Sequence, residues 1–467
     1  MQPHFFSGVR SLGPELDHQG SGRLLDGEAD RTRVNSFSND GRGQDERWRT
    51  SVQPAAYWNG CWLAEVASTA RISAERKHCE GQDVTGSPRR LNGHENNRLS
   101  FYIPSLAVGG AEQVTVSVVN GLADRGYDIE LVISHPGGEL QSTVADDVSV
   151  TSLGSSRVPI AGIGAHVPAF RRYLSRTDPA AVFTQKLDAS AVCLAASRFA
   201  DADTKVIPTV HSAFGMVSER TVKSRALDAF AALSLASADH VVAVSECVAD
   251  SVIEATTVRP ADISVLHNPV DVDSVRHQSR NPVEDTWVES DDIQLVLFVG
   301  RLERQKDLET WLRAFDQLHQ SNPDTRGIIA GKGSQREQLK TLRRELDLKD
   351  VVSIHGYVDN PYRYMRKADV FALSSRFEGL PTVLIEALAC GCQVVATDCP
   401  CGPREILCDG EYGHLTPVGD VDALARGIEQ LLADPVQPPR LEDRADDFAP
   451  EVVLDEYEQF IHTQVFG

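Results

Sequence analysis

The chain lacks any apolar run approaching the roughly 18 to 20 residues that span a bilayer, so a membrane-crossing helix is not expected. Its start, Met-Gln-Pro-His, soon turns polar without the apolar centre of a signal peptide, and a cytoplasmic protein, peripheral at most to the inner membrane face, is the expectation. Lysine is scarce: nine residues out of 46 basic ones, the rest arginine, against 67 acidic residues, for a net charge of −21. That balance argues against nonspecific nucleic-acid binding. It fits either a proteome adapted to high salt or an ordinary acidic enzyme. Cys-x-x-Cys is also missing. The nine cysteines include Cys390, Cys392, Cys399, Cys401 and Cys408, but as two Cys-x-Cys pairs and a single residue, a poor metal pattern. Without a secretory signal they read as reduced, small, buried side chains.

What is present divides in two. Residues 1 to about 97 are rich in Gly, Ser, Arg and Asp, show no sustained period, and hold three of the five tryptophans. Up to Glu95 there are 12 basic and 13 acidic residues, leaving 34 against 54 for the remainder, so the charge signature changes at Arg98. Either this segment is a disordered tail or the start codon is placed too early. From Leu99 onward strands and helices alternate, which predicts a doubly wound parallel sheet. Strands are expected at 100–103, 129–134, 181–184, 205–210 and 240–244. The polar stretch from Asp271 to Asp292 reads as a linker, after which a second set of strands begins at Ile293. At 467 residues, two or three domains are expected.

The most informative stretch runs from Ser374 to Gly391. Ala368 to Leu373 reads as a buried strand, Pro381 as a first helical residue, and Gly391 as the helix end. Glu378 therefore lies in a turn upstream of the helix while Glu386 lies inside it, among Leu384, Ile385, Ala387, Leu388 and Ala389. A helix start offers unpaired N–H groups and a positive dipole end to a phosphate-bearing ligand. Glu386, ionised among apolar neighbours, needs donors such as two ribose hydroxyls.

Two glutamates eight positions apart, with Gly-Leu-Pro after the first and Glu-Ala-Leu-Ala-Cys-Gly around the second, resemble glycosyltransferase family 4. The resemblance covers about residue 99 to the end. It implies the GT-B fold: α/β, two Rossmann-like doubly wound domains facing a central cleft, here 98–285 and 286–449, with 450–467 crossing back to the first. It also implies retaining, metal-independent transfer of a sugar from a UDP- or GDP-linked donor to an acceptor hydroxyl in glycan, polysaccharide or glycolipid assembly. No cofactor beyond the donor is implied.

Residue by residue, the resemblance gives Glu378 and His211 to the donor sugar and Glu386 to the ribose. Arg301, Lys306, Gly379, Leu380, Pro381 and Gly110 go to the diphosphate, and Gly331, Gly356 and Tyr357 to the nucleotide pocket. Arg301 and Lys306 follow a strand directly, where two cations suit an anion. By spacing alone Gly110 is as well read as a turn glycine, and a lone histidine such as His211 is usually structural. Arg171, Arg172 and Arg176, in the run Phe170 to Arg176, could rest on an anionic membrane; a solvated helix face is the alternative. A sugar-nucleotide epimerase and a non-catalytic partner subunit are the rival readings of the same fold. We expect residues 1–97 to be dispensable: a chain beginning at Arg98 should fold, melting cooperatively by calorimetry, and keep its activity, and loss of soluble protein would refute this.

Overall fold

Leu99 to Ile103, five buried residues in succession, form β1. A parallel strand covered on both faces reads as a continuous apolar run, which is why it stands out in the sequence. The computed structural model describes residues 97–107, 109–154, 166–214, 231–290, 292–435 and 441–467, all within one compact unit, Val84–Gly467. After β1 come β2 (Ile129–Ile133), β3 (Ser149–Ser152), β4 (Ala181–Thr184), β5 (Lys205–Val210), β6 (Val241–Ala243) and β7 (Ile263–Val265). They make a seven-stranded sheet in the order β3-β2-β1-β4-β5-β6-β7, in which Leu99 pairs in parallel with Ile129 on one side and Ala181 on the other.

A second sheet contains β8 (Gln294–Val299), β9 (Thr325–Ala330), β10 (Val352–Ile354), β11 (Val370–Leu373), β12 (Gln393–Thr397) and β13 (His414–Thr416). Its order is β10-β9-β8-β11-β12-β13. In both sheets the chain reverses direction across the sheet beside its first strand, between β1 and β4 and between β8 and β11. Open α/β sheets bind ligands at the carboxyl ends of the strands flanking such a point. The short edge strands β3, β7 and β13 escape the sequence reading because they are half-exposed or exposed and carry few apolar residues.

The expected linker from Asp271 to Asp292 is instead folded. Asp271 caps a helix, Val272–Ser279, by accepting from the Ser274 N–H at 2.9 Å. Val272, Val275, Val283 and Val288 are buried in the same core as β8 and β11. The chain beyond is held by Asn360 Nδ2 donating to Gln278 O at 2.9 Å and Arg363 to Pro282 O at 3.0 Å. Four valines dispersed among charged residues show no period, so polarity alone misleads here.

The helix Pro450–Phe460 packs on the helix Gly110–Asp124 that follows β1. Leu454 lies so close to Gly121 that a Cβ there would sit 2.3 Å from its Cδ1. Arg125 reaches Asp455 at 2.8 Å and Glu458 at 2.7 Å, and Lys205 Nζ donates to the carbonyls of Gln464 and Val465. Tyr457, Phe460 and Val465 join the core built on β1 and β2.

His267, just after β7, meets Glu405 of the second half at 2.9 Å and Glu456 of the terminal helix at 3.6 Å. Burial alone would lower its pKa, but hydrogen bonds and charge from the two carboxylates outweigh that and push it up to about 9. Because the folded value lies above the unfolded one, the stabilisation is complete below about pH 6.5 and disappears as pH rises through 9. We expect denaturant titrations to show about 1–3 kcal/mol lost between pH 7 and 10, and His267→Gln to flatten that slope. An equal slope in the variant would remove His267 as its cause.

Candidate functional site

β11 delivers the chain into a turn, Ser374 to Pro381, and then into the helix Thr382–Ala389. Pro381 is the residue before the helix, in an extended conformation, one position earlier in role than expected from sequence. The far end closes with Gly391 at φ +74°, where the Gly391 and Cys392 N–H groups donate to Leu388 O and Ala387 O at 2.8 and 3.0 Å. Three successive carbonyls of the turn are held by the first half of the chain. Ala213 N–H donates to Glu378 O at 3.3 Å, Ser245 Oγ to Gly379 O at 3.1 Å, and Asn268 Nδ2 to Leu380 O at 3.3 Å. These donors follow β5, β6 and β7 in turn. A side chain at position 379 is impossible without movement, since its Cβ would stand 2.0 Å from His211 O. With the carbonyls so engaged, the N–H groups of Gly379 and Leu380 have no protein partner among the described residues.

Glu378 is buried, and its Oε1 lies 2.6 Å from Lys306 Nζ. Lys306, expected at the diphosphate, here gives its ammonium to this glutamate, so that two opposite charges of low exposure are paired. Gln305 Nε2 donates to Phe377 O at 2.9 Å and to Glu378 Oε2 at 3.3 Å. Among the described residues the exposed Arg301 guanidinium donates only to Gln305 Oε1, at 3.3 Å. The loop after β8 and the turn after β11 are therefore one hydrogen-bonded unit, with Ser374 Oγ on Lys306 O and Arg376 on Asp307 adding to it.

Glu386 differs. No hydrogen bond or ion pair reaches its carboxylate among the described residues, and burial raises its pKa to about 7. The donors that the sequence demanded are thus not protein groups. Nearby, the loops after β8, β9 and β10 meet backbone to backbone: at Gly331, φ +152°, a Cβ would lie 1.8 Å from Gly300 O, and its N–H donates to Gly356 O at 2.9 Å. Gly356 borders open space. Tyr357 is 52% exposed, with Lys332 Nζ 4.8 Å from its ring centre.

The first half contributes from the opposite side. Gly110 opens onto free space, whereas Gly109 accommodates the Glu112 carboxylate, 2.4 Å from where its Cβ would be. Glu112 is buried and ion-pairs with Lys186. His211 Nε2 lies 3.0 Å from Gln185 Oε1, whose amide nitrogen is turned toward Thr209. Burial, then the nearby Lys186 ammonium, push His211 down to about 4, so its ring is neutral at pH 7 and donates through Nε2. Sequence reasoning missed Gln185, Lys186, Ser245 and Asn268. Each follows a strand end, and that position is the signal which could have found them.

One further expectation needs correction. Cys247 and Cys401 are joined as a disulfide rather than reduced; their separation of 154 residues hides the pairing in sequence, and a compartment argument says nothing about a specific pair. Cys193, Cys390, Cys392 and Cys399 are buried free thiols, and Cys61 and Cys79 lie outside the described residues. In the run Phe170 to Arg176, Phe170, Tyr173 and Leu174 are core residues, while Arg171, Arg172 and Arg176 face outward with Ser175. The exposed apolar group beside them is Phe199, 69% exposed, at an open pocket of about 510 Å³ lined also by Val167 and Pro168. That pocket is remote from Glu378 in the fold, on the helix Val167–Thr177. No helix among the described residues is long and apolar enough to cross a membrane.

Two parallel sheets facing each other through a hydrogen-bonded turn define a GT-B protein, and the fold of HepE of Anabaena, solved with UDP-glucose, superposes with a TM-score of 0.65 at 19% identity over 78% of this chain and 99% of that one. The profile described as Glycosyltransferase Family 4 matches residues 108–274, and that described as Glycosyl transferases group 1 matches residues 283–448. The chain belongs to glycosyltransferase family 4. It is 32% identical over 197 residues to the N-acetylgalactosamine-N,N'-diacetylbacillosaminyl-diphospho-undecaprenol 4-alpha-N-acetylgalactosaminyltransferase of Campylobacter jejuni, an alignment covering 42% of this chain and about half, 52%, of that relative. A second C. jejuni relative, GalNAc-alpha-(1->4)-GalNAc-alpha-(1->3)-diNAcBac-PP-undecaprenol alpha-1,4-N-acetyl-D-galactosaminyltransferase, is 29% identical over 72% of this chain and 89% of its own.

Glu386 supplies a test. A carboxylate whose folded pKa is raised costs stability once ionised, so the loss appears as pH rises from the unfolded value through about 7. Because no protein donor is forfeited, Glu386→Gln should raise stability at pH 8 by about 1–2 kcal/mol and change it little at pH 4.5. Denaturant midpoints at the two pH values check this, and a variant less stable at pH 8 would contradict it.

Proposed function

We propose that this chain transfers a glycosyl group from a nucleoside-diphosphate sugar to an acceptor hydroxyl, with retention of configuration and without a metal. One observation carries the reading: a single turn-helix unit presents one buried carboxylate satisfied by Lys306 and a second, half-buried, that no protein donor reaches among the described residues. The first suits a group that must stay charged beside the reacting sugar; the second suits a pair of ribose hydroxyls that supply the missing donors. Family membership supports the reaction class.

The developing charge on the departing diphosphate would be met by Arg301, by the remaining ammonium hydrogens of Lys306, and by the free N–H groups of Gly379 and Leu380 before the helix. Gly110 leaves room for phosphate oxygens from the opposite side. Neutral His211, with Nε2–H given to Gln185, keeps Nδ1 as an acceptor for a sugar hydroxyl. Tyr357 and the open edge at Gly356 fit a base, for which uracil is the first choice because the solved relative HepE holds UDP-glucose. A lipid-linked glycan is the acceptor class suggested by the names of the C. jejuni relatives. Peripheral contact with an anionic membrane, at the cytoplasmic side, would use Arg171, Arg172 and Arg176 with Phe199.

A nucleotide-sugar panel, with and without polyprenyl-diphosphate glycans in anionic vesicles, tests the reading. Transfer should need the acceptor, whereas epimerised donor without acceptor would establish the rival enzyme and no product would leave a partner subunit. Glu378→Gln should lower turnover by about a hundredfold while UDP still binds, and Arg301→Ala should weaken UDP by roughly 1.5–3 kcal/mol. Glu386→Gln should weaken UDP without a matching loss in turnover. Equal loss of UDP affinity in both glutamate variants would refute the division of roles.

A further inference from the structure

Three consecutive residues at the start of the helix Glu246–Ala255, after β6, cross to the second half of the chain. Ser245 Oγ donates to Gly379 O at 3.1 Å, the Glu246 N–H donates to Glu405 Oε2 at 3.1 Å, and Cys247 Sγ is bonded to Cys401 Sγ. Cys401 lies between β12 and the short helix Pro403–Ile406, with its Cα 5.1 Å from that of Cys247. Its neighbour Gly402, at φ +94°, has no space for a side chain, since a Cβ would be 2.3 Å from Pro381 Cδ and 2.8 Å from Gly379 O. The covalent link therefore stands one residue away from the turn that carries Glu378. Its two companions are hydrogen bonds, which open and re-form thermally. The disulfide does not.

We propose that Cys247 and Cys401 constitute a thiol–disulfide exchange site that fixes the two halves of the cleft together when oxidised and lets them part when reduced. The inference concerns the movement of the halves and stands independently of the glycosyl-transfer reading. Cys247 is partly exposed while Cys401 is buried, so an incoming thiolate attacks Cys247 Sγ. A bond forms between that sulfur and the small thiol as the Cys247–Cys401 bond breaks, and Cys401 departs as a thiolate that takes up a proton. A second small thiol attacks the mixed disulfide, releasing Cys247 as a thiol and a low-molecular-weight disulfide; two electrons have passed from the small thiols to the protein. The reverse reaction uses a low-molecular-weight disulfide as oxidant. Cys399, two residues from Cys401, does not interfere: burial, with Glu378 close by, pushes its thiol up to about 12 and leaves it almost wholly protonated.

The full-length protein, equilibrated with glutathione disulfide or with dithiothreitol, tests this. Non-reducing peptide mapping should find Cys247 and Cys401 linked in the first sample only. Small-angle scattering should show a larger radius of gyration in the second, and UDP should dissociate about tenfold faster from it, as when opening limits release. Cys247→Ser and Cys401→Ser should each behave as the reduced protein in both buffers. Alkylation of both thiols in the oxidised sample would overturn the proposal, as would superposable scattering from the two states. Failure of UDP to bind either state counts against the nucleotide reading alone, because mapping and scattering still decide the lock.

Discussion

The backbone seam along Glu378, Gly379 and Leu380 is the contact on which the rest of the site depends. Three carbonyls in a row accept from the loops after β5, β6 and β7, so one turn of the second sheet is indexed against three strands of the first. Only glycine can occupy the centre of that seam, because His211 O fills the space a side chain would need. Since the carbonyls face the first half, the N–H groups of the same peptides face away from it, toward the mouth where Arg301 and Lys306 stand. Docking of the halves and orientation of the anion-facing groups are therefore one event.

Charge follows from that geometry. Glu378 is buried and ion-paired with Lys306, so the two behave as a dipole rather than as two independent charges. Glu386 has no such partner, and its ionisation is left to whatever enters the site. Across the seam, burial and then the Lys186 ammonium depress the His211 imidazole and keep it neutral. A chain with a large net negative charge thus assembles its few buried cations where carboxylates would otherwise repel.

Much of this was legible in the amino-acid sequence, and for identifiable reasons. Central strands such as Ala181–Thr184 and Lys205–Val210 are buried on both faces and declare themselves as apolar runs with the bounds read from sequence. The strand, turn and helix around Glu378 and Glu386 were placed to within two residues because Pro381 and Gly391 punctuate them. The edge strands β3, β7 and β13 were missed because much of their surface is wet. The helix Val272–Ser279 was missed because its buried valines are too widely spaced to outweigh the charges between them. Pairings over long separations, Cys247 with Cys401 or Ser245 with Gly379, leave no local trace at all. Lys306 stands out in the sequence, yet its partner was invisible, since Glu378 lies 72 positions further on.

The helix Pro450–Phe460 has a consequence for the newborn chain. Its Leu454, Tyr457 and Phe460 complete the core beside β1, although the last strand of that sheet ends at Val265, about 185 residues earlier. At roughly 5–20 residues per second of synthesis, the ribosome takes about 10–40 s to cover that interval. Throughout it the groove beside Gly121 stands open on an otherwise finished sheet, an apolar surface awaiting the end of its own polypeptide. The first half is translated first and finished last.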